Sequence, residues 1–247
     1  MLNTSQRIFQ KDKIKLKEDI LKEIKELVDS GYKEVTLLGQ NVNSYGLDLG
    51  DEYGFGDLLN DVAKTGIPRL RFMTSNPWNF DDSIINAIKA NPNIMPYIHL
   101  PIQSGSSEVL KKMNRKYSRE EYLNLYDKLK REIPGCAFTT DIIVGFPNET
   151  DAMFEDTISA VEHCEYDNAF TFIYSKREGT PAASMEDVTP TSVKEERLQR
   201  LNEKVAYYAN KNNQKFKDAV VEVLVDGISK RNSNVYSGYT PENKLVN

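Results

Sequence analysis

The feature that most constrains this chain is an alternation between two hydrophobic periods. Leu16, Ile20, Ile24, Leu27 and Val28 recur at steps that line one face of a helix, and Gly31 follows where the backbone needs a left-handed residue to leave it. Glu34–Leu38 then reads as a short buried strand. The exchange repeats: apolar runs at residues 70–73, 97–100, 138–144 and 169–174 are separated by stretches of helical periodicity. Ser118-Arg-Glu-Glu121 and Ser192-Val-Lys-Glu195 have the form of capping boxes that start two of the helices. Strands joined through helices pair in parallel, so the fold class is α/β, either a barrel or an open sheet. Chemistry is expected where the strands end.

After about Asn210 the pattern changes. Residues 219–225 read as a strand, Asp226-Gly227 as a hairpin turn, and residues 230–234 are polar. This divides the chain into a main α/β domain, residues 1–213, and a small β module, residues 214–247. The module is shorter than the roughly 40 residues at which a domain folds without help, so it is expected to be docked or incomplete.

Composition narrows the function classes. The chain has two cysteines, Cys136 and Cys164, too few for a disulfide framework and too widely spaced for a metal motif, and they read as reduced buried thiols. No run approaches a membrane span, and residues 1–17 lack the apolar core of a secretory signal, so the expected compartment is the cytoplasm. The net charge of −5 gives no support to a general polyanion surface, and DNA is not expected as a partner. Any nucleic-acid contact must be local. The basic runs at residues 111–116 and 230–231 are the candidates, although such runs are more often solvated faces.

Four loops after strands carry the candidate site residues. Gln40 and Asn41, beside Gly39, offer amide donors and acceptors after the first apolar run, where turn formation is an equal alternative. Residues 74–78, TSNPW, are ordinary turn material with a packing tryptophan. Gln103 and Ser104 lie in a strand-to-helix junction rich in hydroxyls and glycine, where free backbone N–H groups could meet a carboxylate, ribose or phosphate. The bland reading there is a serine cap beside a core histidine, His99. Asp141 sits inside an apolar strand, where a carboxylate is costly unless it is paired or faces a ligand. Arg177 follows the last run of the main domain, with a planar fork suited to a carboxylate. Ser104, His99 and Asp141 have no nucleophile elbow around them, which argues against a hydrolase.

Taken together, TLLGQNVNSYG (residues 36–46), HLPIQSGSSEVLKKMNRKYS (99–118), TDIIVGFPNET (140–150) and YSKREGTPAA (174–183) resemble the radical-SAM tRNA methylthiotransferase family, in the branch acting on isopentenyl- or dimethylallyl-adenosine. The resemblance runs in order over residues 16–247. It implies an incomplete radical-SAM (β/α)6 partial barrel followed by a truncated TRAM-like β domain. It also implies transfer of a methylthio group to C2 of the modified adenosine beside the tRNA anticodon, with S-adenosylmethionine and [4Fe–4S] clusters as cofactors. On the same basis Gln40, Asn41, Gln103, Ser104, Asp141 and Arg177 are the expected cofactor-binding residues.

One departure bears on activity. The family carries a C-x-x-x-C-x-x-C motif ahead of the first helix, because three thiolates hold three irons of the cluster. The corresponding stretch here, residues 1–13, has no cysteine. The first barrel strand and the N-terminal domain are therefore expected to be missing, with the strand at Glu34–Leu38 left with an open edge and the chain marginally stable. The chain is expected to be inactive alone unless a separate chain supplies the cluster-binding part. The alternative is a catalytically dead remnant that binds tRNA or a partner.

Overall fold

The structure is a computed structural model that describes residues 5–9, 16–39, 41–47, 52–73 and 75–247. Its strands are β1 (Ser5–Phe9), β2 (Glu34–Leu38), β3 (Arg69–Phe72), β4 (Tyr97–His99), β5 (Ala137–Val144), β6 (Asn168–Ile173), β7 (Leu224–Ile228), β8 (Tyr236–Tyr239) and β9 (Leu245–Val246). The helices are α1 (Lys17–Asp29), α2 (Phe55–Ala63), α3 (Asp82–Ala90), α4 (Ser107–Lys112), α5 (Arg119–Glu132), α6 (Asp151–Cys164) and α7 (Thr191–Asn213). None of them is long and apolar enough to cross a membrane.

The described residues form two compact units. The first takes those up to His99 together with Lys130–Ala137 and Val220–Asn247. Here β1, β2 and β3 form a parallel sheet, and Leu70 adds a further parallel bridge to Ile94. The expectation of a missing first strand is corrected by β1, which pairs with β2 from Ser5 opposite Glu34 to Phe9 opposite Leu38. The predicted open edge of β2 is therefore closed, and with it goes the stated reason for marginal stability. Leu70 and Phe72 are buried among Leu59, Ile24 and Val35, and the Phe55 and Phe72 rings meet edge-on at 5.4 Å. At Gly31 the predicted left-handed exit from α1 is present, with φ of 87°.

Arg69 and Arg71 alternate with those apolar residues along β3 and are as deeply buried. Arg69 donates to the Tyr239 carbonyl at 2.9 Å and to Glu222 at 2.6 Å. Arg71 donates to the carbonyls of Thr240 and Pro241 at 2.8 and 2.9 Å and to Glu34 at 2.8 Å. Two guanidinium forks thus bind carbonyls at the end of β8 and in the turn toward β9, and the C-terminal module is docked. Its first strand differs from expectation. Residues 219–223 are not in a strand, and Asp226-Gly227 lies inside β7 at a bulge, with the chain turning instead through the polar residues 230–234. Gly and Asp serve a bulge as readily as a hairpin, and β8 pairing decides between them.

The second unit comprises Leu100–Leu129 and Phe138–Ala219. β5 and β6 run parallel with Asp141 opposite Phe170 and Ile143 opposite Phe172. Tyr122, Tyr126 and Tyr166 fill the core: Tyr166 donates to the Tyr122 hydroxyl at 2.9 Å, Tyr122 donates to the Leu100 carbonyl at 2.8 Å, and Tyr126 donates to the Cys164 carbonyl. Each of these three buried hydroxyls has a partner. The capping box at Ser118 is present, with Ser118 N–H donating to Glu121 at 2.7 Å and Glu121 N–H to Ser118 Oγ at 3.1 Å. The one predicted at Ser192 is not. α7 starts at Thr191 behind Pro190, which occupies the N-cap and carries no side-chain acceptor.

Candidate functional site

Within the second unit, one cavity of about 900 Å³ opens at the ends of β5 and β6. The size suits a small molecule or a single nucleotide. Its floor comes from strand alternation. Asp141 and Ile143 are two apart on β5 and share a face, and β6 places Phe172 beside Ile143 in register. Phe146, just past β5, completes an apolar wall and packs edge-on against Tyr174 with ring centroids 5.0 Å apart.

The loop holding Gln103 is zipped onto β5. Gln103 N–H donates to the Asp141 carbonyl at 2.9 Å, and its own carbonyl accepts from Ile143 N–H at 2.9 Å. Tyr117 donates to the carbonyls of Pro101 and Ile102 at 3.2 and 3.1 Å, and burial pushes that phenol up to about 12, partly offset by nearby Arg115. These bonds hold Gln103 at φ of 68°, a conformation that costs a side-chain-bearing residue about 1–2 kcal/mol. Strain held in place by its surroundings and sited in a cavity wall is a recognised mark of a functional position.

A second loop follows β5. Gly145, at φ of 69°, donates its N–H to Glu149 Oε2 at 2.8 Å. Arg197 of α7 donates to the same oxygen at 3.1 Å, to the Glu149 carbonyl at 3.0 Å and to Asp151 at 2.7 Å. Burial nevertheless raises the Glu149 carboxyl above its usual range, against the lowering by Gly145 and Arg197. The ion pair anchors the loop that presents Phe146.

Three of the six expected site residues, Gln103, Asp141 and Arg177, line this cavity. Ser104 does not. It is fully buried, accepts from Ser106 N–H at 3.2 Å and lies 3.5 Å from Thr157 on α6. The reason is Gly105, whose hypothetical Cβ would sit 2.5 Å from α6 backbone atoms, so the loop is pressed onto that helix. Asn41 lies in the first unit, exposed, where its carbonyl accepts from Ser44 N–H at 2.9 Å. Gln40 lies outside the described residues. The residue that organises that region is Asn43, which donates to the Asn76 carbonyl and accepts from Asn76 N–H, both at 2.7 Å. Sequence reasoning passed over Asn43 and over Tyr174 in the cavity wall, and reached Arg115 only within the basic run 111–116, as a candidate nucleic-acid contact rather than a cavity residue. Arg115 sits in a basic run that reads as solvated, while Tyr174 reads as the end of a strand.

The residues present do not fit an iron–sulfur cluster, which asks for three thiolates in one place. Cys136 and Cys164 are free and buried, neither lines the cavity, and no group of three or more metal-binding side chains occurs among the described residues.

The Radical SAM superfamily model matches residues 3–161. Among curated proteins, the chain is 57% identical over 233 residues to the tRNA-2-methylthio-N(6)-dimethylallyladenosine synthase of Malacoplasma penetrans, covering 94% of this chain and 48% of that protein. It is 56% identical over 238 residues to the synthase of the same name from Bacillus cytotoxicus, covering 96% and 47%. The chain thus spans about half the length of the curated relatives it matches. Among solved structures, coproporphyrinogen III oxidase of Escherichia coli, described as a radical SAM enzyme, superposes with a TM-score of 0.53 at 16% identity, covering 80% of this chain and 46% of that one. At that identity the likeness concerns the fold alone: parallel α/β units with a small antiparallel sheet. With a family model matched over most of its length and this fold beneath it, the chain belongs to the radical SAM superfamily.

Proposed function

We propose that this chain is the barrel portion of a tRNA methylthiotransferase, which places a methylthio group at C2 of N6-dimethylallyl- or isopentenyl-adenosine beside the anticodon. The observation that carries the reading is 57% identity over 94% of the chain to a synthase of that name. In this reading S-adenosylmethionine lies in the cavity of the second unit, with the Gln103 amide and the Asp141 carboxylate orienting its polar groups and Ile143 and Phe146 forming its apolar wall. Bound S-adenosylmethionine supplies the radical and the methyl group. The cluster thiolates come from outside these 247 residues, in a separate cytoplasmic chain or a further stretch, since this sequence has only two cysteines and both are buried.

The same two buried thiols favour a second reading, a catalytically dead remnant that binds tRNA or a partner. Co-expression with the N-terminal half of the Malacoplasma penetrans synthase, in a host without its own methylthiotransferase, separates the two. Methylthiolated nucleoside in tRNA digests supports the enzyme. Its absence, with both proteins soluble and associated, favours the remnant. Stoichiometric iron and sulfide on this chain alone after anaerobic reconstitution, with cleavage of S-adenosylmethionine, would overturn the claim that its own residues cannot hold the cluster.

A further inference from the structure

The cavity wall contains charge that the cofactor reading does not use. Lys112, Arg115 and Arg177 line it against one carboxylate, Asp141, although the chain as a whole carries a net charge of −5. Lys112 is neutralised by Glu108 at 2.9 Å. The guanidinium groups of Arg115 and Arg177 have no carboxylate or carbonyl partner among the described residues, whereas Arg69, Arg71, Arg119, Arg197 and Arg200 are each held in hydrogen bonds. Arg115 Nε is buried with no acceptor, and so is the hydroxyl of Tyr174 in the same wall. A buried guanidinium donor left without an acceptor costs free energy in the empty molecule, a cost removed when an anion arrives.

We propose that Arg115 and Arg177 form an anion site that grips a backbone phosphate of an RNA strand, with the Tyr174 hydroxyl as a third donor. The proposal rests on the tRNA reading above and deepens it. Three features favour a phosphodiester over a free anion. The two arginines come from different elements, the segment after α4 and the loop after β6, and so meet a ligand from two sides. The lining they share is apolar and aromatic, with Met113 and Phe172 available to the face of a base. Phe172 is 52% exposed, a surface that an unstacked base would cover. Guanidinium forks beside an aromatic wall are the pattern of single-stranded nucleotide binding. A cofactor carboxylate, which the Arg177 fork also suits, shares the anion chemistry, and the experiment distinguishes the two.

The test uses the full chain and a fluorescein-labelled RNA anticodon stem-loop, with Kd measured by anisotropy over a salt series. R115Q and R177Q are compared with R200Q, a control on α7 that pairs with Glu155 and does not line the cavity. Binding of S-adenosylmethionine is measured in parallel by calorimetry. The expected result is about tenfold weaker RNA binding for each cavity variant, a salt slope lowered by about 0.7 per arginine removed, no change in R200Q, and unchanged S-adenosylmethionine affinity in R115Q. RNA binding that is equal in all variants overturns the site while the tRNA reading stands. Loss of S-adenosylmethionine binding with RNA binding intact overturns it in favour of the carboxylate. No RNA binding by the unsubstituted chain overturns both the site and the tRNA reading.

Discussion

Arg197→Met should be among the most costly single substitutions in the second unit. Arg197 is 5% exposed, and the Glu149 side chain that it meets is 0% exposed. Truncation removes the donors to Glu149 Oε2, the Glu149 carbonyl and Asp151. The Asp151 contact, on a side chain 92% exposed, contributes little. The cost lies in Glu149, left with the Gly145 N–H as the donor to its carboxylate. Removing one member of a buried ion pair costs about 3–5 kcal/mol, which for a chain of this size lowers Tm by roughly 6–20 °C. Burial already raises the Glu149 carboxyl, and without Arg197 it rises further. The variant therefore binds a proton in the folded state that the unfolded state releases, and its deficit shrinks by up to about 1.4 kcal/mol per pH unit as pH falls toward the ordinary glutamate value. Urea unfolding at pH 5 and pH 8 reads both effects, and R197M/E149Q, which removes both charges, should recover most of the loss. A deficit below about 1 kcal/mol, or one independent of pH, would refute the reasoning.

Other outcomes follow from the same geometry. In the unsubstituted chain the raised Glu149 carboxyl contributes stability below about pH 4.5 that is lost as pH rises through its folded value, so Glu149→Gln should gain on the parent over that window in pH-resolved urea melts. Gly105→Ala should cost about 1–3 kcal/mol, since its Cβ would meet α6 backbone at 2.5 Å, and chemical denaturation reads it directly. Asn43→Ala removes both bonds to the Asn76 backbone and should cost about 1–3 kcal/mol by the same assay. Arg71→Met should remove the donor to the Pro241 carbonyl and leave the Thr240 carbonyl with the Asn243 N–H, so that hydrogen exchange quickens in β8 and β9 and stays unchanged in β5.

The α/β class was legible because it rests on local periodicity: the apolar residues of α1 recur with helical spacing, and β2 and β5 are short apolar runs between turn signals. Gly31 and the Ser118 box were legible for the same reason, each being a contact within a few residues. β1 escaped because a strand recognised by its partner needs β2 beside it, and the bulge in β7 needs β8. Asp141 could be singled out from the cost of a carboxylate in an apolar strand. What it faces could not, since Gln103, Arg115 and Arg177 converge on its cavity from segments separated by long stretches of chain. Likewise Ser104 looks like a ligand residue in its motif, and only the close approach of Gly105 to α6 turns it inward. Sequence by itself determined most of the elements and their parallel pairing through short-range pattern, and the family through its four motifs. Tertiary structure decided which polar groups are paired and which are left open to a ligand, because that depends on long-range packing and on the cost of leaving a buried donor unsatisfied.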